Sequence, residues 1–168
     1  KGTANAEKLT LSFWVKATKT GTNICELGDN DNSRKISQSY TISSSDTWEK
    51  KVINFAADTT GVLGDDNGAS LDVVWWLGAG TNYTSGTLNS SWNGSVANAN
   101  RAVGQVNHAD STSNNFHITG VQLEVGEFTS STIPPFKHES FGTNMARCQR
   151  YFTMIADGRL GGGSNEAV

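Results

Sequence analysis

The chain has 168 residues, a length that fits one domain with a buried core. Gly, Ser, Thr and Asn supply 70 of them, charged residues make up only 17%, and the net charge is −3. So low a net charge argues against disorder, no stretch approaches the ~20 apolar residues of a membrane-spanning helix, and no basic run beyond Lys50-Lys51 suggests nucleic acid.

Leu9, Leu11, Phe13, Val15 and Ala17 alternate with Thr10, Ser12, Trp14 and Lys16, the period-2 pattern of a half-buried strand. A short second strand is predicted over residues 24–27, ended by Gly28 and the turn formers 29–32. Ile36, Gln38, Tyr40 and Ile42 mark a third strand, and residues 48–55 a fourth. Asn67-Gly68 is a strong turn signal. Residues 71–77 are apolar on both faces, which predicts a central strand or one whose second face binds something. Residues 78–114 read as a long irregular segment with one strand near 103–106, and such a segment in a compact domain is usually functional. In residues 116–125 the apolar positions switch from even (Phe116, Ile118) to odd (Val121, Leu123, Val125), so a β-bulge is expected at Thr119-Gly120. After Pro134-Pro135 one short helix is expected within 141–151, from Met145, Cys148 and Phe152.

At least seven strands with turn punctuation and no intervening helices give an all-β fold, a β-sandwich of jelly-roll type with one short C-terminal helix. Residues 1–135 form the sandwich, and 136–168 an extension with Gly161-Gly162-Gly163-Ser164 as linker chemistry. The chain does not begin with Met, and a segment of a longer protein is expected. Cys25 and Cys148 are too few for a disulfide scaffold, and two free thiols are the preferred reading over one bridge.

Several motifs together carry a resemblance covering roughly residues 1–152: residues 9–17 and 46–49, Asn100-Arg101 with residues 104–107, the run 118–126, residues 133–139, and Cys148-Gln149-Arg150-Tyr151. The chain resembles carbohydrate-binding-module-like jelly rolls in tail fibre and other structural proteins of bacteriophages, notably marine ones. It departs from them at Ile133-Pro134-Pro135-Phe136, where a Thr-Pro-Phe run is usual. The resemblance implies a further strand before Lys1 and another module after the Cys-Gln-Arg-Tyr motif. It also implies a virion-surface, extracellular location among other virion subunits, in a homotrimer, with host-surface polysaccharide as a partner and no membrane insertion.

No enzyme motif stands out. There is no Gly-x-Ser-x-Gly elbow, and His108, His117 and His138 lack zinc-site spacing. Gly78-Ala79-Gly80 meets Tyr83 where a dinucleotide loop needs its last Gly. Glu26, Glu49, Asp72 and Glu124 lie on predicted strands, where solvated surface carboxylates are the plainer reading. Asp65, Asp66 and Asn67 could hold a structural calcium of the sort such sugar-binding modules carry, although turn formation is the preferred reading.

A sugar ring packs its C–H face on an aromatic while amides and guanidinium groups bond its hydroxyls. Tyr83, Trp92 and Trp76 are the candidate platforms, with Asn82, Asn93, Asn100 and Arg101 as hydrogen-bonding groups. Sequons at Asn82, Asn89 and Asn93 formally permit glycosylation. Trp14, Trp48, Trp75 and Trp76 are otherwise read as core or inter-subunit packing. The resulting expectation is a non-enzymatic virion module contacting host glycans. A capsid decoration or head-fibre module and a sugar-binding appendage of a secreted glycoside hydrolase are the alternatives.

Overall fold

The computed structural model describes residues 1–149. The period-2 segments become strands: β1 (Leu9–Ala17), β2 (Gly21–Asp29), β3 (Arg34–Ile42), β4 (Glu49–Phe55), β5 (Leu71–Trp75) and β6 (Phe116–Val125). They pair into two antiparallel three-stranded sheets, ordered β4-β1-β6 and β3-β2-β5. Two helices occur among the described residues, α1 (Thr81–Thr84) and α2 (Phe141–Gln149), with a 3-10 turn at Asn98–Asn100. The chain divides into a unit spanning Lys1–Pro134 and a second unit that begins at Pro135. All six strands lie in the first. In the second, Phe136 and His138 meet edge to face and Arg147 pairs with Glu139. Tyr151, Phe152 and the Gly-rich stretch lie outside the described residues.

The two sheets share one core. Leu11, Phe13, Val15 and Ala17 of β1 pack with Cys25 and Leu27 of β2, Ile36, Tyr40 and Ile42 of β3, and Ile53 and Phe55 of β4. Phe13 is fully buried and meets Tyr40 and Trp75 edge to face, with centroids 5.2 and 5.6 Å away. Each such pair adds about 0.5–1.5 kcal/mol to the gain from burial alone. A buried Cys25 thiol is pushed up to about 12, first by burial and then by neighbouring Glu26.

The phase change in β6 is a bulge. Ser12 pairs with Gln122 and Trp14 with Thr119, so two β6 residues, Gly120 and Val121, face Phe13 alone. Gly120 takes φ +60°, a backbone state that side chains disfavour. The extra residue keeps Ile118 opposite Val15 and Leu123 opposite Leu11, on the core side of the sheet.

Three expectations need correction. Residues 71–77 do not form a central strand: β5 ends at Trp75 and is the edge of its sheet. Its inner face carries Leu71, Val73 and Trp75; on its outer one Asp72 is exposed and Val74 is half-buried opposite Glu26, which a long loop reaches through Arg101. Residues 103–106 form no strand, and six strands rather than seven occur among the described residues. The second strand runs well beyond 24–27, to nine residues.

That loop, residues 76–115, runs over β2 at Asn23, Ile24 and Glu26, which are buried. Gln105 replaces the strand expected there. Its amide oxygen accepts from Ile24 N (2.7 Å), its amide nitrogen donates to Asn23 Oδ1 (3.2 Å), and Val106 N donates to Thr22 O (3.0 Å). His108 Nε2–H donates to the same Asn23 Oδ1 at 2.7 Å, the tautomer that the Asn23 amide orientation requires. Burial holds the His108 pKa below its ordinary value, and Lys19 adds to the effect. Further along, Asn89 and Asn93 seal the edge of β3: Ser37 N donates to Asn89 O, and Lys35 and Asn93 exchange both backbone bonds.

Two outcomes follow. Ellman titration of the native protein should find one reactive thiol, exposed Cys148, and two only in denaturant, because Cys25 is buried. Stability should fall as pH drops below the ordinary histidine value of about 6.5, since the unfolded chain then binds a proton that folded His108 resists. His108→Gln should flatten the decline in urea midpoint between pH 7.5 and 5.5; an unchanged slope would show that His108 does not cause it.

Candidate functional site

Glu26 sits at the middle of β2 and is 1% exposed. An ionised carboxylate there needs a cation and hydrogen bonds. Arg101, one residue beyond the 3-10 turn, supplies both: Nε lies 3.0 Å from Oε2 and Nη2 2.6 Å from Oε1. Ser37, opposite Glu26 in the β2–β3 ladder, donates its hydroxyl to Oε2 at 3.3 Å. The Glu26 hydrogen bonds raise the Arg101 pKa further, against the effect of burial.

The guanidinium carbon of Arg101 lies 5.2 Å from the Trp76 ring centroid and 5.9 Å from that of Tyr83. Trp76 and Tyr83 are 5.2 Å apart, tilted by 45°. Trp76 follows β5 and donates its N–H to Ile24 O; Tyr83 stands on α1. Both rings are half-buried, and the Trp76 indole nitrogen has no hydrogen-bond partner. Asn82 is exposed beside Tyr83 on the same short helix. So Trp76, Tyr83 and Arg101 come together on the outer face of the β3-β2-β5 sheet. The cluster offers two aromatic surfaces beside a cation already held by Glu26, with the exposed Asn82 next to Tyr83 in the chain.

The other sequence candidates are engaged elsewhere. Asn100 Oδ1 accepts from Thr87 N at 3.0 Å and serves the loop itself. Asn93 Nδ2 donates to Asn89 Oδ1 at 2.6 Å, at the β3 edge. Trp92 is no surface platform: it is 9% exposed, belongs to the shared core, and donates Nε1–H to Ala56 O at 2.8 Å. Its polar sequence neighbours gave no hint of this, because a single loop residue that plugs a core has no periodicity. Asp66 accepts from Gly68 N at 2.6 Å, as turn formers do. Among the described residues no three His, Cys, Asp or Glu side chains group closely enough to hold a metal ion, which leaves the calcium expectation at Asp65, Asp66 and Asn67 without support.

A second ionic cluster lies beside Trp92. Arg34 grips Asp58 with two bonds of 2.7 and 2.8 Å and reaches Trp92 O at 3.1 Å. The Lys1 ammonium pairs with Asp29 and Asp58 and lies 4.9 Å over the Trp92 ring. Burial would raise the Asp58 pKa, but the bonds from Arg34, Lys1 and Thr60 N outweigh it and hold the carboxyl well below the usual range. This cluster borders a cavity of about 430 Å³ whose apolar wall includes Leu9, Leu63, Leu71 and Val125. The strand carboxylates are likewise engaged. Glu49 binds Lys51 and the Ser43 and Ser44 N–H groups, Asp72 accepts from Asn30, and Glu124 accepts from Gln122.

Comparison with family models, with curated proteins and with solved structures found no match for this chain.

Arg101→Gln should destabilise the fold by about 3 kcal/mol, because it strands a carboxylate inside the protein. Glu26→Gln with Arg101→Gln should cost less than Arg101→Gln alone. A double-mutant cycle of urea midpoints checks this, and purely additive values would deny the coupling.

Proposed function

We propose that this chain is a non-enzymatic module of a bacteriophage virion protein, a jelly-roll β-sandwich on a tail fibre or other surface appendage that contacts host-surface glycans. The resemblance read from the sequence supplies the class. What supports it here is an all-β body with two antiparallel sheets around one core, carrying a long polar loop on one outer face. The observation that carries the binding role is the Trp76–Tyr83 pair, braced by an Arg101 that Glu26 holds in place.

The chemistry is that of sugar recognition. Ring C–H groups lie on the aromatic surfaces, and the Asn82 amide on the same helix bonds hydroxyls. Because Arg101 is fixed by Glu26, the aromatic pair is ordered before a ligand arrives, which lowers the entropic cost of binding. In the virion the module sits beside other subunits, in a trimeric appendage, and is exposed at the particle surface.

The test uses host-envelope polysaccharide and the isolated chain. Tyr83→Ala should weaken binding about tenfold, the loss of one aromatic contact of ~1.4 kcal/mol, with the melting temperature little changed. Binding that survives both Tyr83→Ala and Asn82→Ala overturns the site. Gold-labelled antibody on the parent particle should mark the tail or fibre ends; label over the head would make capsid decoration the correct reading.

A further inference from the structure

The outer face of the β4-β1-β6 sheet is divided in two. Toward Thr10 it is covered by the segment that follows β6: Thr10 Oγ1 donates to Gly126 O, Asn54 Nδ2 to Phe128 O, and Gln122 Nε2 to Pro134 O. Thr10 and Ser12 are consequently buried although they point away from the core. The cover stops at Trp14. Beyond it the face carries Trp14, Lys16 and Thr119 with His117, together with Lys50 and, just before β4, Trp48. Both tryptophans are 43% exposed. Two large aromatics left in water on one sheet face do nothing for the core, and such patches mark interaction sites.

The arrangement is ordered and cationic. Gly120 has no side chain, and a Cβ there would stand 3.3 Å from Trp14 Cδ1, so the Trp14 indole lies close against the bulge. The Trp48 ring has the Lys16 ammonium 5.8 Å from its centroid and the His117 ring 6.4 Å away. Lys16, Lys50 and His117 make no ion pair among the described residues, whereas Lys1, Lys8, Lys19 and Lys51 each hold a carboxylate. The nearest acids in sequence do not fill the gap. Asp46 lies in the preceding turn with Ser45, and Glu49 is bound to Lys51 and two turn N–H groups.

We propose that this half-face is a second binding platform, specific for an acidic polysaccharide whose sugar rings stack on Trp14 and Trp48 while its carboxylate or sulfate groups pair with Lys16 and Lys50 and meet the His117 ring. A neutral glycan would leave both lysines unused. Nucleic acid is the competing polyanion, and its binding is one of the outcomes of the test. The platform shares no residue with the Trp76–Tyr83 cluster and does not depend on it.

The probes are a polyuronate (alginate), neutral dextran of similar length and oligo(dT), measured by affinity electrophoresis and calorimetry on the full chain. Alginate should bind, dextran and oligo(dT) should not. Trp48→Ala and Trp14→Ala should each weaken alginate binding about tenfold or more. Lys16→Gln with Lys50→Gln should weaken it and flatten its salt dependence. Tyr83→Ala should leave it unchanged, which separates this platform from the loop site. Circular dichroism and melting temperature report whether each variant folds, and Trp48, outside the strand ladder, is the safer substitution. The proposal is overturned by absent alginate binding, by binding indifferent to both tryptophans, or by oligo(dT) binding as tight as alginate. It is equally overturned by sedimentation showing a self-association that Trp14→Ala and Trp48→Ala abolish, since the face would then be an interface between copies.

Discussion

A carboxylate buried in the central strand of one sheet is the constraint that organises this protein. Glu26 lies at 1% exposure between two neighbouring strands. Left alone it would cost several kcal/mol. Its remedy, Arg101, comes from 75 residues further along the chain. The loop must therefore run back over β2, and in doing so it brings Tyr83 onto Trp76, Gln105 onto the Ile24 N–H and His108 onto Asn23. Apolar replacement of a buried ion pair is often neutral for stability. What the Glu26–Arg101 pair supplies here is position: it ties the loop at residue 101 to the middle of β2.

The same device recurs at the C-terminal end of β2, where Asp29 and Asp58 gather Lys1 and Arg34 around the Trp92 plug. Leu, Ile, Val and Phe number 34 in the whole chain, so the aliphatic core is small for its length. Long polar connections cannot be held by apolar contact when so little apolar material is available. They are held by buried ion pairs, by side-chain amides that bond strand backbone, as Gln105 and Asn89 do, and by the backbone bridge of Asn93 to Lys35.

What was legible in the sequence follows from this division. β1 and β6 could be read to the residue, and the bulge with them, because a half-buried strand writes its two faces into a local period of two. The edge position of β5 was not legible. Its second apolar face looked like central burial, and only the remote Arg101 and Tyr83 reveal that a loop covers it. Of the candidate site, Trp76, Tyr83 and Arg101 lie together, with Asn82 next to Tyr83 on α1. Trp92 sat among polar residues with no apolar period, and a bond to the distant Ala56 O holds it in the core, while Asn93 and Asn100 bond within the loop. Trp14 is the instructive case: the alternation put it on the outer side of β1, yet the general tendency of tryptophan toward cores argued the other way. Periodicity was the better guide, since it reports this backbone and the tendency reports an average.

The outcome is an inversion of the usual distribution. Charges that ordinarily face water are paired inside, at Glu26, Asp29 and Asp58, while two tryptophans that ordinarily fill a core stand on a sheet face beside Lys16 and Lys50, which make no ion pair among the described residues. Stability alone does not ask for the second half of that exchange: Trp14 packs against the Gly120 bulge, and Trp48, 43% exposed, has Lys16 and His117 beside it. The segment that follows β6 covers Thr10 and Ser12 and reaches Gln122 through Pro134 O. A sheet whose polar half is sealed and whose aromatic half is open has its surfaces reversed with respect to solvent, and that reversal is understood once the aromatic half is taken as the part that meets a ligand.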